Sequence, residues 1–221
     1  ALFDTVENWA KEKGLNGVHG PLGFCDLDKE GMLVEGFDEE GTFISIYNYP
    51  YYVKHIESLG YKKDAEWIEV ELKVPSLEVI NKLDTLAKRA MEKYNLRVVE
   101  LKKPKDVMPY VREIFDLINV AYEHLYGTVP LTDRQVDCYV KQYFSFMNPD
   151  YICLIVDETD HLAGFGIIYP SLTKAAQKAK GRLFPFGFAH FLKAIRKNDT
   201  LDLYLIAIKP ELRTKGVPYI L

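Results

Sequence analysis

Arg213, Lys215 and Gly216 follow directly on an apolar run, Leu203-Tyr-Leu-Ile-Ala-Ile208, and these residue types in that order suit an anionic ligand. Arg213 and Lys215 bring positive charge, and Gly216 permits a backbone conformation that turns successive N–H groups toward one point. Phosphate is the natural guest for such a turn. Val217 and Pro218 can open a helix with proline at its first position, so that the helix N-terminus faces the same anion. A second concentration of chemistry is Tyr47-Asn-Tyr-Pro-Tyr-Tyr52, four tyrosines with His55 close behind. It either lines an aromatic pocket for a polar acceptor or packs two layers together. Gly20-Pro-Leu-Gly-Phe24 reads as a backbone cradle for a ligand or as a rigid turn. Glu35, Asp157 and Glu158 are candidates for a general base, although lone carboxylates are usually solvated surface groups.

These residues need elements to position them. Leu203 to Ile208 is apolar on both faces, which predicts a strand covered on both sides and central to its sheet. Before it, Tyr151–Val156 and Leu162–Tyr169 predict an antiparallel hairpin joined by Asp157-Glu-Thr-Asp-His161. A strand at Arg97–Leu101 opens this region, and the stripe Val111, Ile114, Phe115, Ile118 and Tyr122 predicts a helix from Val107 to Tyr126. Thr132 with Gln135 forms a capping box for a helix reaching Met147, where Asn148-Pro ends it. Ser171–Ala179 is helical in composition, and Phe184 to Ile195 is an aromatic-rich helix or loop.

The amino-terminal part reads differently. Helices are predicted at Ala1–Lys13, ended by Gly14, and at Tyr51–Leu59, closed by Gly60. Strands are predicted at Leu15–Val18 and, from the alternation of Glu66, Glu69 and Glu71 with Ile68, Val70 and Leu72, at Ala65–Leu72. Thr42–Tyr47 is expected to be extended. An amphipathic helix, Leu77–Tyr94, connects the two parts.

With 221 residues, 48% hydrophobic and 27% charged, the chain can bury one large core or two modest ones. A net charge of −4 argues against a nucleic-acid partner held by bulk electrostatics and favours a small-molecule one. Cys25, Cys138 and Cys153 are odd in number and far apart, so neither a disulfide framework nor a metal-ligand spacing is visible, and a cytoplasmic location fits best. No apolar run approaches ~18 residues, so no membrane partner is expected. A homodimer is compatible with all of this.

The order of elements from Arg97, ending in an apolar strand that feeds Ile208-x-Pro210-x-x-Arg213-x-x-Gly216, resembles the GCN5-related N-acetyltransferase superfamily. The motif matches that superfamily's acyl-CoA pyrophosphate turn, with Pro218 standing where glycine or alanine is usual. The resemblance implies an α/β (α+β) fold with a mixed, mostly antiparallel sheet flanked by helices. It implies acyl-CoA, typically acetyl-CoA, as cosubstrate, no metal, and direct transfer to a small amine or amino-acid-like acceptor. Arg213, Thr214, Lys215 and Gly216 would hold the diphosphate, and the backbone of Ile206, Ala207 and Ile208 the acyl carbonyl. Lys174, Lys178, Lys180 and Arg182 would meet the adenosine phosphates or form a solvated helix face, and Phe184 to Phe191 would cover a pantetheine tunnel or complete the core.

Leu59-Gly60-Tyr61 resembles the leucine-glycine-aromatic helix end of the same superfamily, where a tyrosine acid commonly precedes it. The usual position falls near Ile56, so Tyr52 and His55, with Tyr51, are the candidates for that role. Residues 1–74 thus resemble the later half of one acetyltransferase-like unit, 75–96 a connector, and 97–221 the first part of another. This is the arrangement of an uncharacterised bacterial tandem branch, of which the chain would be a fragment. One composite domain is the alternative, and a catalytically degenerate binding module is the alternative function.

Overall fold

The computed structural model describes residues 1–23, 25, 27–42, 45–143 and 148–221, the side chains of 142 and 143 excepted. The chain divides into two compact units, Ala1–Glu69 and Val70–Leu221. Across them the described residues form an α+β fold with seven α-helices and one antiparallel sheet, the class that the sequence predicts.

In the first unit, α1 (Leu2–Glu12) and α2 (Tyr51–Ser58) form where the periodicity places them. Gly14 and Gly60 follow them with φ of 70° and 91°, conformations that suit glycine. The strands expected at Leu15–Val18 and Ala65–Leu72 do not form, and no strand is present among the described residues of this unit. A period-two pattern makes a strand only when another edge takes up its N–H and C=O groups. In this unit side chains take up main-chain groups of the connecting segments instead. The Asn48 amide accepts from Leu33 N at 2.7 Å and donates to Leu33 O at 3.1 Å, standing in for a neighbouring strand. Ser45 Oγ accepts from Thr42 N at 3.0 Å and donates to the Glu69 carboxylate at 2.7 Å. Of the expected extension at 42–47, residues 43 and 44 lie outside the described residues.

The second unit begins its regular structure with α3 (Leu77–Tyr94), ended by Asn95 in the left-handed region. Strand β1 holds only Arg97–Val98. The longer strand expected to Leu101 stops because Asp106 Oδ2 takes the amides of Lys102 and Lys103, each at 2.9 Å, and Pro104 opens a 3-10 turn that runs to Tyr110. The expected helix 107–126 is therefore α4 (Val111–Ala121), preceded by that turn, with Val111, Ile114, Phe115, Leu117 and Ile118 buried. Helix α5 (Asp133–Tyr143) starts as expected: Gln135 Oε1 accepts from Thr132 N at 2.9 Å and from its hydroxyl at 2.6 Å. Its expected end at Met147 lies outside the described residues.

Strands β2 (Ile152–Val156) and β3 (Leu162–Pro170) form the expected antiparallel hairpin. Helices α6 (Thr173–Lys178) and α7 (Gly187–Arg196) lead to β4 (Leu201–Ile208). The sheet order is β1-β2-β3-β4, every pair antiparallel, and Gly164 opposite Ile208 lets the backbones of β3 and β4 approach closely. This corrects the expectation for β4. It is an edge strand of the described sheet, not a central one, and Leu203 and Ile206 are 70% and 57% exposed. Only Ala207 and Ile208, where the strand meets the core, are buried. There Leu96, Ile155, Ala163, Ile208 and Val217 form one buried cluster, with Met91 and Tyr94 of α3 packed against it.

Candidate functional site

The candidate site lies where β4 runs out of the sheet. Ile208 is anchored in the buried cluster, and Lys209 N donates to Ala163 O at 2.9 Å, the last ladder bond before Pro210. A 3-10 turn, Pro210–Leu212, carries the chain round, and Lys215 N closes on Leu212 O at 3.1 Å. Gly216 then takes φ 77° and caps a second 3-10 turn, Val217–Ile220. The helix expected to open at Pro218 is thus one short 3-10 turn, packed against α3. Among the described residues no hydrogen bond takes up the amides of Thr214 or Gly216. A turn with left-handed glycine and amides without an acceptor has the make-up of an anion nest.

The side chains around it are more committed. Arg213 Nη2 donates to Ala121 O, at the end of α4, at 3.0 Å, and its Nε donates to Ile208 O at 3.3 Å. The guanidinium therefore ties the last turn of α4 to the end of β4, satisfying carbonyls left over by both elements. Lys215 Nζ lies 5.3 Å from the centroid of the Tyr94 ring, a cation–π contact with α3. Thr214 is exposed.

The backbone of β4 has an unexpected guest. The Tyr122 hydroxyl donates to Ile206 O at 3.0 Å and accepts from Ile206 N at 3.3 Å, occupying both main-chain groups of that residue on the edge strand. Sequence reasoning placed Tyr122 in the apolar stripe of α4 and missed this. The available signal was a tyrosine, with its polar tip, at the end of a stripe otherwise Val, Ile and Phe.

Tyr52 and His55 belong to the first unit, on α2. Tyr51 is their common neighbour, stacked on Tyr52 with centroids 4.7 Å apart and edge-on to His55 at 5.5 Å. Tyr49 stacks on Tyr51 at 6.0 Å, so the tyrosine-rich stretch is a ladder of rings. Hydrogen bonding with Tyr52, then desolvation, holds the Tyr51 phenol above its ordinary 10.0. Tyr52 lies in the first unit and Ile206 to Gly216 in the second.

The carboxylates have structural duties. Asp157 Oδ1 accepts from Thr159 N at 2.9 Å, Thr159 Oγ1 at 2.7 Å and His161 N at 3.1 Å, with Lys209 Nζ 3.7 Å from Oδ2. These bonds, the Thr159 hydroxyl first, hold its carboxyl below the usual range. Glu158 accepts from Asn95 Nδ2 at 3.2 Å. Among the described residues no group of three or more His, Cys, Asp or Glu is placed to hold a metal ion, and no helix is long and apolar enough to cross a membrane.

Two bacterial proteins are similar to the chain. Protein YghO of Escherichia coli (strain K12) is 29% identical over 213 residues, covering 96% of this chain and 54% of that protein. A bacterial ceramide synthase of Caulobacter vibrioides (strain NA1000 / CB15N) is 25% identical over 222 residues, covering 96% of this chain and 55% of the synthase. The chain spans about half the length of the curated relatives it matches. No family model and no solved structure matches it.

Proposed function

We propose that the protein is an acyl-CoA-dependent N-acyltransferase that moves an acyl group, acetyl in the simplest case, onto a small amine or amino-acid-like acceptor in a ternary complex. The observation that supports this most is the turn after β4. Left-handed Gly216 and the amides of Thr214 and Gly216, without an acceptor among the described residues, fit a diphosphate. The similarity to a protein named as a ceramide synthase supports the reaction class, because a ceramide is an N-acylated amine. In the reaction the amine nitrogen attacks the thioester carbonyl and gives up one proton as the amide forms, the carbon–sulfur bond breaks, and the departing thiolate takes up one proton, so the proton count balances. Thr214, Lys215 and Gly216 would hold the diphosphate and Ile206 to Ile208 would line the acyl end.

The test is calorimetry with acetyl-CoA and a long-chain acyl-CoA on the wild type and on Gly216→Val, whose left-handed φ a β-branched residue disfavours. Binding lost in the variant supports the assignment; equal affinity for both proteins overturns it. Thiol release with an amine panel then separates transfer from binding.

A second reading, a binding module without transferase activity, is favoured by Tyr122. Its hydroxyl holds the Ile206 N–H that an acyl carbonyl would need. Acyl-CoA binding without thiol release across the amine panel would select it.

A further inference from the structure

The charges of the chain are not spread evenly. Residues 171–198 contain seven Lys and Arg and no Asp or Glu, leaving 21 of the 28 basic residues to face all 32 acidic ones elsewhere. This segment is α6, α7 and the corner between them. The corner is tightly built: Arg182 N donates to Ala179 O at 2.9 Å and Phe188 N to Leu183 O at 2.8 Å. A Cβ on Gly187 would lie 1.7 Å from Arg182 O, so only glycine allows this approach. The corner nevertheless presents Phe184 and Phe186 at 78% exposure each, which corrects the expectation that this aromatic stretch completes a core. The apolar surface continues along α7 as Phe188, Leu192 and Ile195, one stripe at helical spacing, all exposed. Beside the two phenylalanines, Lys178, Lys180, Arg182 and His190 line a shallow basin of about 560 Å³.

Cations ringing exposed phenylalanines, on an amphipathic helix of an otherwise acidic chain, suit a surface that is negative outside and apolar just beneath. We propose that residues 171–198 form an interfacial docking face for an anionic phospholipid surface. Phe184 and Phe186 enter the boundary between headgroups and acyl chains, the α7 stripe lies along it, and Lys178, Lys180 and Arg182 meet the lipid phosphates.

Other occupants fit less well. A second copy docking through the same face would bring its own seven cations against these. A nucleic-acid strand would use the cations and stack on the rings, but Leu192 and Ile195 offer it nothing. That no helix among the described residues is long and apolar enough to cross a bilayer does not bear on lying upon one. The inference is independent of the acyl-transfer reading.

The test is co-sedimentation of the full chain with phosphatidylcholine vesicles, with and without phosphatidylglycerol, at low and high salt. Binding only to the anionic vesicles, weakened by salt, is expected. Lys178→Glu/Lys180→Glu/Arg182→Glu and, separately, Phe184→Ser/Phe186→Ser should each weaken it by on the order of tenfold or more, with far-UV circular dichroism unchanged. Lys82→Glu/Lys88→Glu on α3 should bind as the wild type does. Equal binding to neutral and anionic vesicles, or none to either, overturns the proposal. So does wild-type binding by both patch variants, displacement of the vesicles by free CoA or a single-stranded oligonucleotide, or a change of molar mass in solution when the patch is altered.

Discussion

The two units show what an amphipathic pattern does with and without a partner edge. In the second, every strand of the sheet has a neighbour, and Leu154, Ile155, Val156 and Phe165 are wholly buried between the hairpin and its covering helices. In the first, the alternating segment 65–72 stays extended without a ladder, and Ile68 is 82% exposed. Only Ala10 and Cys25 are buried among the first unit's described residues. Its order comes from side chains: Asn48 on Leu33, Ser45 on Glu69, and the Tyr61 hydroxyl on Glu7 at 3.0 Å. Burial makes the second unit cooperative, whereas the ties of the first act singly.

The largest effect should therefore separate the units most clearly. Phe165→Ala removes a wholly buried ring and should cost about 3–5 kcal/mol in denaturant unfolding followed by circular dichroism. Trp67→Ala, at a half-exposed ring on the extended segment, should cost less than about 1 kcal/mol. Equal costs would break the contrast. Amide exchange gives the same comparison without substitution: 152–156 and 162–167 should exchange slowly, 65–72 quickly.

A smaller effect tests whether a single carboxylate can act as a cap within the cooperative unit. Asp157→Ala removes the acceptor of three hydrogen bonds in the β2–β3 hairpin and should cost on the order of 1–2 kcal/mol at neutral pH. Because folding lowers the Asp157 pKa from its ordinary 3.8, its stabilisation is fully present above 3.8 and is lost as pH falls through the lower folded value. The wild type should thus lose its advantage over Asp157→Asn below pH 3.8, with the two midpoints converging. A constant gap between them down to strong acid would show that the carboxylate's charge contributes nothing.

Tyr122→Phe should cost about 1 kcal/mol, because it strips both hydrogen bonds from Ile206 while leaving the ring. It also sharpens the functional choice. If Tyr122 competes with an acyl group for the Ile206 amide, the variant should bind acyl-CoA more tightly than the wild type; unchanged affinity would leave Tyr122 as an edge cap alone.

Much of this was legible locally and the rest was not, for reasons that individual residues make plain. The periodicity of Leu77–Tyr94 and the Thr132–Gln135 pair are local, and α3 and the start of α5 stand where they point. The hairpin 152–170 is local too, since its turn chemistry sits in Asp157 and Thr159. Position in a sheet is not: Leu203 and Ile206 read as covered on both faces, but coverage depends on which elements pack there, and β4 is an edge strand. At the candidate site, the Gly216 turn was legible as a conformation. The engagement of Arg213 with Ala121 O, 92 positions away, and of Tyr122 with Ile206, 84 away, depends on topology that no spacing encodes.

The smallest effect concerns surface charge, present throughout the chain and expected to decide little. On α3, Lys82 Nζ meets Glu78 at 2.6 Å and Lys88 Nζ meets Asp84 at 2.7 Å, both pairs four residues apart and more than half exposed. Each places the acid N-terminal to the base, the favourable order on a helix, yet water and salt screen the attraction and ordering two long side chains opposes it. Lys82→Ala and Lys88→Ala should each shift stability by no more than about 0.5 kcal/mol, and the shift should shrink as salt rises. A shift comparable to that of Asp157→Ala would mean that α3 is held to the second unit by its charges and not by Ala87, Ala90, Met91 and Tyr94. Cooperativity would then not follow burial, and the contrast between the units would need another cause.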